Sequence, residues 1–188
     1  MTAKTQKYIP LAVATMKAKT IIKSLMPHTE RIHIAGAIRR HMAQVDRIDI
    51  LCTPRIVENK DLFGQKDKPA RSPAFIAQCL KLGALVNGDI YAGRAFELEL
   101  PGGLLLRIYT ATPDNWGYML IIRTGSTDYF KEVISRGLRK HGFRGIDGML
   151  TKGSWAVPMP EEIDVFKIIN MPWIDPRARK WDAWRRRD

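Results

Sequence analysis

The chain has 188 residues, enough for one domain of ordinary size or for a domain with a small second lobe. Hydrophobic residues make up 45% of it, which supplies material for a core and excludes a disordered chain. Lys and Arg number 31 against 19 Asp and Glu, and a net charge of +12 on a globular domain indicates a polyanionic partner, most often nucleic acid. Charge alone leaves a ribosomal-type or simply soluble basic protein as the alternative.

Membrane and secreted classes are excluded by the apolar pattern and by the cysteines. No apolar run approaches the roughly 18 residues that a membrane-spanning helix needs, and the first ten residues lack the apolar stretch of a secretory signal. Cys52 and Cys79 are too few for a disulfide framework or a zinc site. We therefore predict an intracellular, cytoplasmic protein with two buried, reduced thiols and no membrane partner.

Alternating helix and strand patterns fill the first half of the chain. The predicted elements are a helix from Pro10 to Pro27, strands at Arg31 to Ala35 and Arg47 to Leu51, an exposed loop at residues 55–71, and a helix from Pro73 to Gly83. The first helix follows from apolar residues spaced three and four apart between two prolines. The loop is predicted because residues 55–71 have no periodicity.

A hairpin is predicted next. Residues 96–100 alternate between apolar and acidic side chains, and Pro101-Gly102-Gly103 turns the chain into a second strand at residues 104–109. The register set by this turn places Glu97 directly opposite Arg107. Opposite charges at facing positions predict a cross-strand ion pair.

The last third of the chain predicts one long helix and a set of short elements. Gly and Pro interrupt the pattern around Pro113 and Gly117, and Ser126 or the following threonine caps a helix that runs to Lys140 and stops at Gly142. The whole pattern predicts an α+β fold, a mixed sheet with helices followed by a small C-terminal α+β lobe.

Four segments, in this order, carry a resemblance to a known family. They are IHIAGAIRR at residues 32–40, DRIDIL at 46–51, IRTGS at 122–126, and the stretch from Pro158 to Arg179. They resemble the palm and thumb motifs of family X DNA polymerases, the DNA polymerase beta type, in the minimal form found in some bacterial and phage genomes. The resemblance covers about residues 9 to 179. It implies a palm-like nucleotidyltransferase domain in residues 1–117 and a thumb-like domain with a basic tail in residues 118–188.

The family's chemistry depends on three carboxylates that hold two divalent cations. At the matching positions this chain has Arg47, Asp49 and Arg107, so the formal charge is +1 where the family has −3. Because Mg²⁺ prefers anionic oxygen ligands, Asp49 beside two guanidinium groups is a poor metal site. The resemblance therefore implies a two-metal site that is largely lost, with Asp49 as its remaining carboxylate.

The resemblance also implies a phosphate site and a DNA-binding surface. The residues expected to bind a nucleotide or phosphate are Gly36, Ala37, Arg39, Arg40, Thr124, Gly125 and Ser126. Those expected to bind DNA are Arg123, Arg136, Arg139, Lys140, Arg185, Arg186 and Arg187. Arginine donates in pairs to phosphate, so Arg47 and Arg107 are expected to supply fixed positive charge where the family has metals.

Three functions remain open at this point. The favoured one is a non-catalytic accessory or regulatory protein that binds duplex, gapped or primer-template DNA, alone or together with a nucleoside triphosphate. The second is an active nucleotidyltransferase or small polymerase that uses Asp46, Asp49, Glu97 or Glu99 in a rearranged site. The third is a module that binds another protein on the same scaffold. Only the second calls for Mg²⁺ or Mn²⁺.

Overall fold

The structure, a computed structural model, describes residues 8–57 and 69–179. The chain divides into two compact units, of which the first comprises residues 1–34 and 43–110 and the second residues 35–42 and 111–188. The boundary predicted between residues 117 and 118 would fall inside the helix Trp116–Thr124, which the division keeps whole. In the described ranges, no helix has both the length and the apolar character needed to span a membrane.

The described elements follow one another in this order. They are β1 (Ile9–Pro10), α1 (Leu11–Leu25), a 3₁₀ turn (Met26–His28), β2 (Thr29–Ile34), α2 (Gly36–Arg39), β3 (Gln44–Val45), β4 (Arg47–Pro54), β5 (Ile56–Val57), β6 (Ala70–Arg71), α3 (Pro73–Leu82), β7 (Ala84–Gly88), β8 (Ala95–Glu99) and β9 (Leu105–Thr110). Then come a 3₁₀ turn (Pro113–Asn115), α4 (Trp116–Thr124), α5 (Thr127–Tyr129), a π-helical segment (Phe130–Ser135), α6 (Arg136–Lys140), β10 (Phe143–Ile146), β11 (Met149–Lys152), β12 (Trp155–Val157), α7 (Glu162–Ile168) and a 3₁₀ turn (Pro176–Ala178).

A mixed five-stranded sheet forms the first unit, which confirms the predicted α+β class. Its strand order is β2-β4-β9-β8-β7, with β4 parallel to β9 and the other neighbours antiparallel. The predicted hairpin is confirmed: the backbone N–H of Leu100 donates to the Leu104 carbonyl oxygen at 2.9 Å. Glu97 consequently faces Arg107 across β8 and β9.

The core of the first unit uses the apolar stripe predicted on α1. Ala14, Ala18, Ile21 and Leu25 are buried, and α1 packs against α3, β2 and β4. Strand β4 continues three residues beyond its predicted end, to Pro54, because every residue from Ile48 onward is buried. A strand buried on both faces shows no alternation that would mark its length.

One prediction about the first unit was wrong at its ends, and one strand was missed. Residues 55–71, predicted as a loop, contain β5 and β6, which pair antiparallel; residues 58–68 lie outside the described residues. The pattern hid β6 because its buried residue is an arginine: Arg71 donates to the carbonyl oxygen of Ile90 at 2.6 Å. Strand β7 was not predicted, since all five of its residues are exposed at the edge of the sheet.

The second unit contains a helix that the sequence analysis missed. Gly117, where the sequence pattern predicts an interruption, lies in α4 and is buried. A Cβ there would collide with the Glu161 backbone and lie 2.6 Å from the backbone nitrogen of Glu162. The glycine permits close contact with the start of α7, which outweighs its low helix propensity.

The long helix predicted from residue 126 to Lys140 is confirmed, with a π-helical middle. The Ser126 hydroxyl accepts a hydrogen bond from the Tyr129 backbone N–H at 3.4 Å, and Gly142 ends the helix at a φ of +80°. Ile134 and Leu138 face a core that also contains Leu150, Val165 and Phe166. Strands β10, β11 and β12 form a three-stranded antiparallel sheet at this core.

Candidate functional site

A row of polar side chains crosses four strands of the five-stranded sheet. Asp49 on β4 is the register partner of Arg107 on β9, Arg107 of Glu97 on β8, and Glu97 of Asn87 on β7. Register partners project from the same face of a sheet, so these four side chains lie side by side. Arg47, two residues before Asp49, shares that face.

Each carboxylate in this row is bound by an arginine. Nε of Arg47 donates to Asp49 Oδ1 at 3.1 Å, and Nε of Arg107 donates to Glu97 Oε1 at 2.7 Å. Asn87 Nδ2 donates to the other Glu97 oxygen at 3.3 Å. The ion pair predicted between Glu97 and Arg107 is confirmed.

The electrostatics of the row do not suit a divalent cation. Asp49 is 5% exposed. Burial raises the pKa of its carboxyl, and the Arg47 and Arg107 guanidinium groups offset part of this rise. Together with Glu97 these residues form two ion pairs with no net charge. Within residues 8–57 and 69–179, no group of three or more His, Cys, Asp or Glu side chains is placed to hold a metal ion. The residues present therefore do not fit the two-metal site of the family that the motifs resemble.

A buried carboxylate organises the second unit. Glu162 accepts two hydrogen bonds from Arg39, at 2.6 and 2.9 Å, one from Arg179 Nη1 at 2.8 Å and one from Trp173 Nε1 at 2.8 Å. Glu162 is 6% exposed and Arg179 is fully buried. Burial by itself raises the pKa of Glu162, but the hydrogen bonds from the two arginines outweigh it and lower the pKa to about 2.

Arg39 has a different place from the one expected. It was predicted to contact phosphate, but its Nη1 and Nη2 both donate to the Glu162 carboxylate. Nη1 also donates to the Thr124 hydroxyl at 2.7 Å. Only 12% of its side chain is exposed. The charge of Arg39 therefore stabilises a buried carboxylate, and we assign it a structural role.

Arg40 lies against Thr124 and Gly125, which belong to the IRTGS segment at residues 122–126. Its Nη1 donates to the carbonyl oxygen of Thr124, and a Cβ at Gly125 would lie 3.2 Å from the same nitrogen. Ser126 does not point a free hydroxyl outward, because its Oγ donates to the Arg179 carbonyl oxygen at 3.2 Å. The second unit thus brings Arg40 together with residues 124 and 125.

The remaining predicted site residues are divided between the units. Gly36 and Ala37 begin α2 in the second unit, and Gly36 is buried with a φ of +58°. Arg47, Asp49 and Arg107 belong to the first unit.

Exposed cations occupy the end of the long helix in the second unit. Arg136, Arg139 and Lys140 are exposed, and Arg136 pairs with Glu132 one turn earlier at 2.7 Å. Arg123 is half-buried in the last turn of α4. The predicted DNA-binding residues Arg185, Arg186 and Arg187 lie outside the described residues.

Three exposed residues of the second unit were missed by the sequence analysis. Arg144, Lys152 and Trp155 lie on the three-stranded sheet, and Trp155 is 79% exposed. The strands are only three or four residues long, too short for alternation to identify them. The sequence does contain one indication of this surface: Trp155 directly follows Lys-Gly-Ser, a composition typical of a turn.

Comparison of the chain with protein-family models and with curated proteins finds no match. The likeness to family X polymerases therefore stays a prediction from the motifs.

Proposed function

We propose that this protein binds DNA as a non-catalytic accessory or regulatory protein, on a scaffold of the polymerase beta palm-and-thumb type. The observation that carries the proposal is that Asp49 and Glu97 are each held by an arginine, in a protein with a net charge of +12. The positive charge that would bind DNA is retained, while the carboxylates that would bind metal are neutralised.

Support for DNA binding comes from the end of the long helix. Arg139 and Lys140 are exposed at adjacent positions of α6, one turn after Arg136. Lysine and arginine that neutralise phosphates release counterions, which supplies most of the affinity of non-specific DNA binding. The partner proposed is duplex, gapped or primer-template DNA.

Support for the loss of catalysis comes from the ion pairs. Metal-dependent phosphoryl transfer relies on cations to neutralise the charge that develops on the phosphate. Losing one such stabilising group costs roughly 10² to 10³ in rate. Arg47 and Arg107 cannot deprotonate a 3′-hydroxyl, because a guanidinium group stays protonated at any working pH.

A nucleoside triphosphate is proposed as a second ligand, near Arg40. This side chain is partly exposed beside the Thr124-Gly125 backbone. A planar guanidinium donates in pairs to phosphate oxygens, which favours binding of the triphosphate. We expect no turnover, because Asp49 and Glu97 are paired with arginines.

One set of samples tests binding and catalysis together. A labelled gapped duplex is titrated with protein by fluorescence anisotropy over a range of salt, and the same mixtures receive nucleoside triphosphates with Mg²⁺ or Mn²⁺. We expect affinity to fall with a log–log slope of about −0.9 for each phosphate neutralised, and no primer extension. Affinity that barely changes with salt would remove the DNA-binding proposal. Efficient extension that Asp49→Ala abolishes would favour an active nucleotidyltransferase instead.

Substituting the α6 cations tests where the DNA binds. The double variant Arg139→Gln, Lys140→Gln is expected to weaken binding and to reduce the salt slope by about 0.9 for each phosphate that is no longer neutralised. The control variant Lys19→Gln, Lys23→Gln removes the same charge from exposed positions of α1. If both double variants weaken binding equally, net charge and not the α6 surface accounts for binding.

A further inference from the structure

The side chain of Trp155 is largely exposed to solvent and is not part of the core. At 79%, it is the most exposed of the large apolar side chains in the described ranges. Trp173, the next tryptophan along the chain, donates its Nε1–H to buried Glu162. Tryptophan is enriched at interfaces, because its large apolar ring and its N–H both find partners there.

The neighbours of Trp155 across the small sheet form an aromatic and cationic row. Lys152 is its register partner on β11, and Phe143 is the partner of Lys152 on β10. The Lys152 ammonium lies 5.0 Å from the centroid of the Phe143 ring, a cation–π contact that keeps the charge within this row.

This row lies at the end of the sheet where the chain arrives from α6. Gly142 separates the helix from β10, and a Cβ at Gly142 would lie 4.0 Å from Cε of Lys152. Arg139 and Lys140 are in the last turn of the helix. The acidic Asp147 is in the turn between β10 and β11, at the opposite end of that hairpin. Trp155 therefore has a lysine as its register partner, and it lies at the end of the sheet away from this carboxylate.

We infer that Trp155 is a stacking platform for an unpaired base of a single-stranded nucleic acid segment, whose phosphates are bound by Lys152 and the last turn of α6. The inference rests on the proposed DNA binding and adds to it a preference for unpaired bases. In a duplex the base faces are already stacked, so only a strand with open bases gains from the indole.

Charge complementarity favours nucleic acid over a protein as the occupant. The centre of a protein–protein interface is usually depleted of lysine, because its ammonium is costly to desolvate. Here Lys152 is the direct partner of the exposed tryptophan. A groove that combines cations with an aromatic face is the arrangement by which single strands are bound without sequence preference.

The test compares Trp155→Ala with the unmodified protein on two probes, an oligothymidine of about 12 nucleotides, within the usual span of single-strand sites, and a blunt duplex. We expect Trp155→Ala to lose roughly 5- to 150-fold in affinity for the single strand and less than twofold for the duplex. Its salt slope should not change, because no charge is removed. Trp155→Phe should retain most of the binding.

The matched control is Tyr91→Ala, which removes an aromatic side chain that is 65% exposed in the first unit. It should bind both probes as the unmodified protein does. Thermal unfolding of each variant verifies that the fold is intact. Equal losses on both probes, or unchanged single-strand affinity in Trp155→Ala, would overturn the inference while the proposed DNA binding stands. If the unmodified protein binds neither probe, the inference and the proposed DNA binding are both overturned.

Discussion

Replacing Glu162 with alanine is expected to destabilise the protein by about 3–5 kcal/mol. The substitution leaves the guanidinium of Arg179 fully buried and that of Arg39 nearly so, without the carboxylate that both contact. Breaking a buried ion pair from one side is costly, because the remaining charge keeps its desolvation penalty and loses its partner. Urea unfolding followed by circular dichroism measures the change in the free energy of unfolding.

The control for Glu162 is Glu132→Ala, which breaks the exposed pair with Arg136 on the long helix. An exposed pair contributes about 0–1 kcal/mol, so this variant should unfold almost as the unmodified protein does. Equal destabilisation by the two substitutions would mean that the buried cluster does not hold the second unit together.

Acid should weaken the same cluster over a defined range. The pKa of Glu162 is lowered from 4.5 to about 2 in the folded protein, so ionised Glu162 stabilises the fold above its unfolded pKa. That contribution, about 3 kcal/mol, is lost as the pH falls through about 4.5 towards about 2. Unfolding of Glu162→Gln should lack this part of the acid dependence. A variant as acid-sensitive as the unmodified protein would show that other carboxyls account for the effect.

The double substitution Arg47→Asp, Arg107→Asp is expected to make stability depend on divalent cations. It changes the charge of the polar row from neutral to strongly negative, because Asp49 and Glu97 lose their arginines and gain two carboxylate neighbours. Without metal, this repulsion should lower the melting temperature well below that of the unmodified protein. Mn²⁺ or Mg²⁺ at about 100 times its dissociation constant should then restore about 2.7 kcal/mol.

The control for the metal prediction is Arg47→Asn, Arg107→Asn, which removes the same two cations without supplying carboxylates. Its melting temperature should respond little to Mn²⁺, as should that of the unmodified protein and of either single aspartate variant. Near-ultraviolet circular dichroism verifies that each variant keeps its tertiary packing. A folded aspartate variant that gains no stability from Mn²⁺ would show that these positions do not form a metal site even with carboxylates.

The parts of the fold that could be predicted are those in which a local pattern decides the structure. Helix α1 followed from the spacing of its apolar residues, and the β8–β9 hairpin followed from Pro101-Gly102-Gly103 and the alternation on each side. The Glu97–Arg107 pair followed from the register that this turn sets. Helix α4 was missed because Gly117 is needed for contact with a distant segment of the chain, the start of α7.

The site residues, too, could be predicted only where a local pattern in the sequence identifies them. Arg47 and Asp49 lie two residues apart on one strand, so a single local motif identified both positions, although it did not predict the ion pair between them. Arg39 was assigned to phosphate because the residue that binds its guanidinium, Glu162, is 123 positions further along the chain. No local pattern connects them. Trp155 was missed because the three short strands that expose it are fixed by packing on the core of the second unit and not by their own alternation.

The discontinuity of the second unit has a consequence for how the chain is made. Residues 35–42 emerge from a ribosome long before residues 111–179, yet Arg39 acquires its carboxylate partner only when Glu162 has been synthesised. The fully buried Arg179 joins the cluster later still. A nascent chain can therefore assemble the five-stranded sheet first, while the 35–42 segment waits for the C-terminal half. A chain that terminates before residue 179 would leave Glu162 with only one of its two arginines.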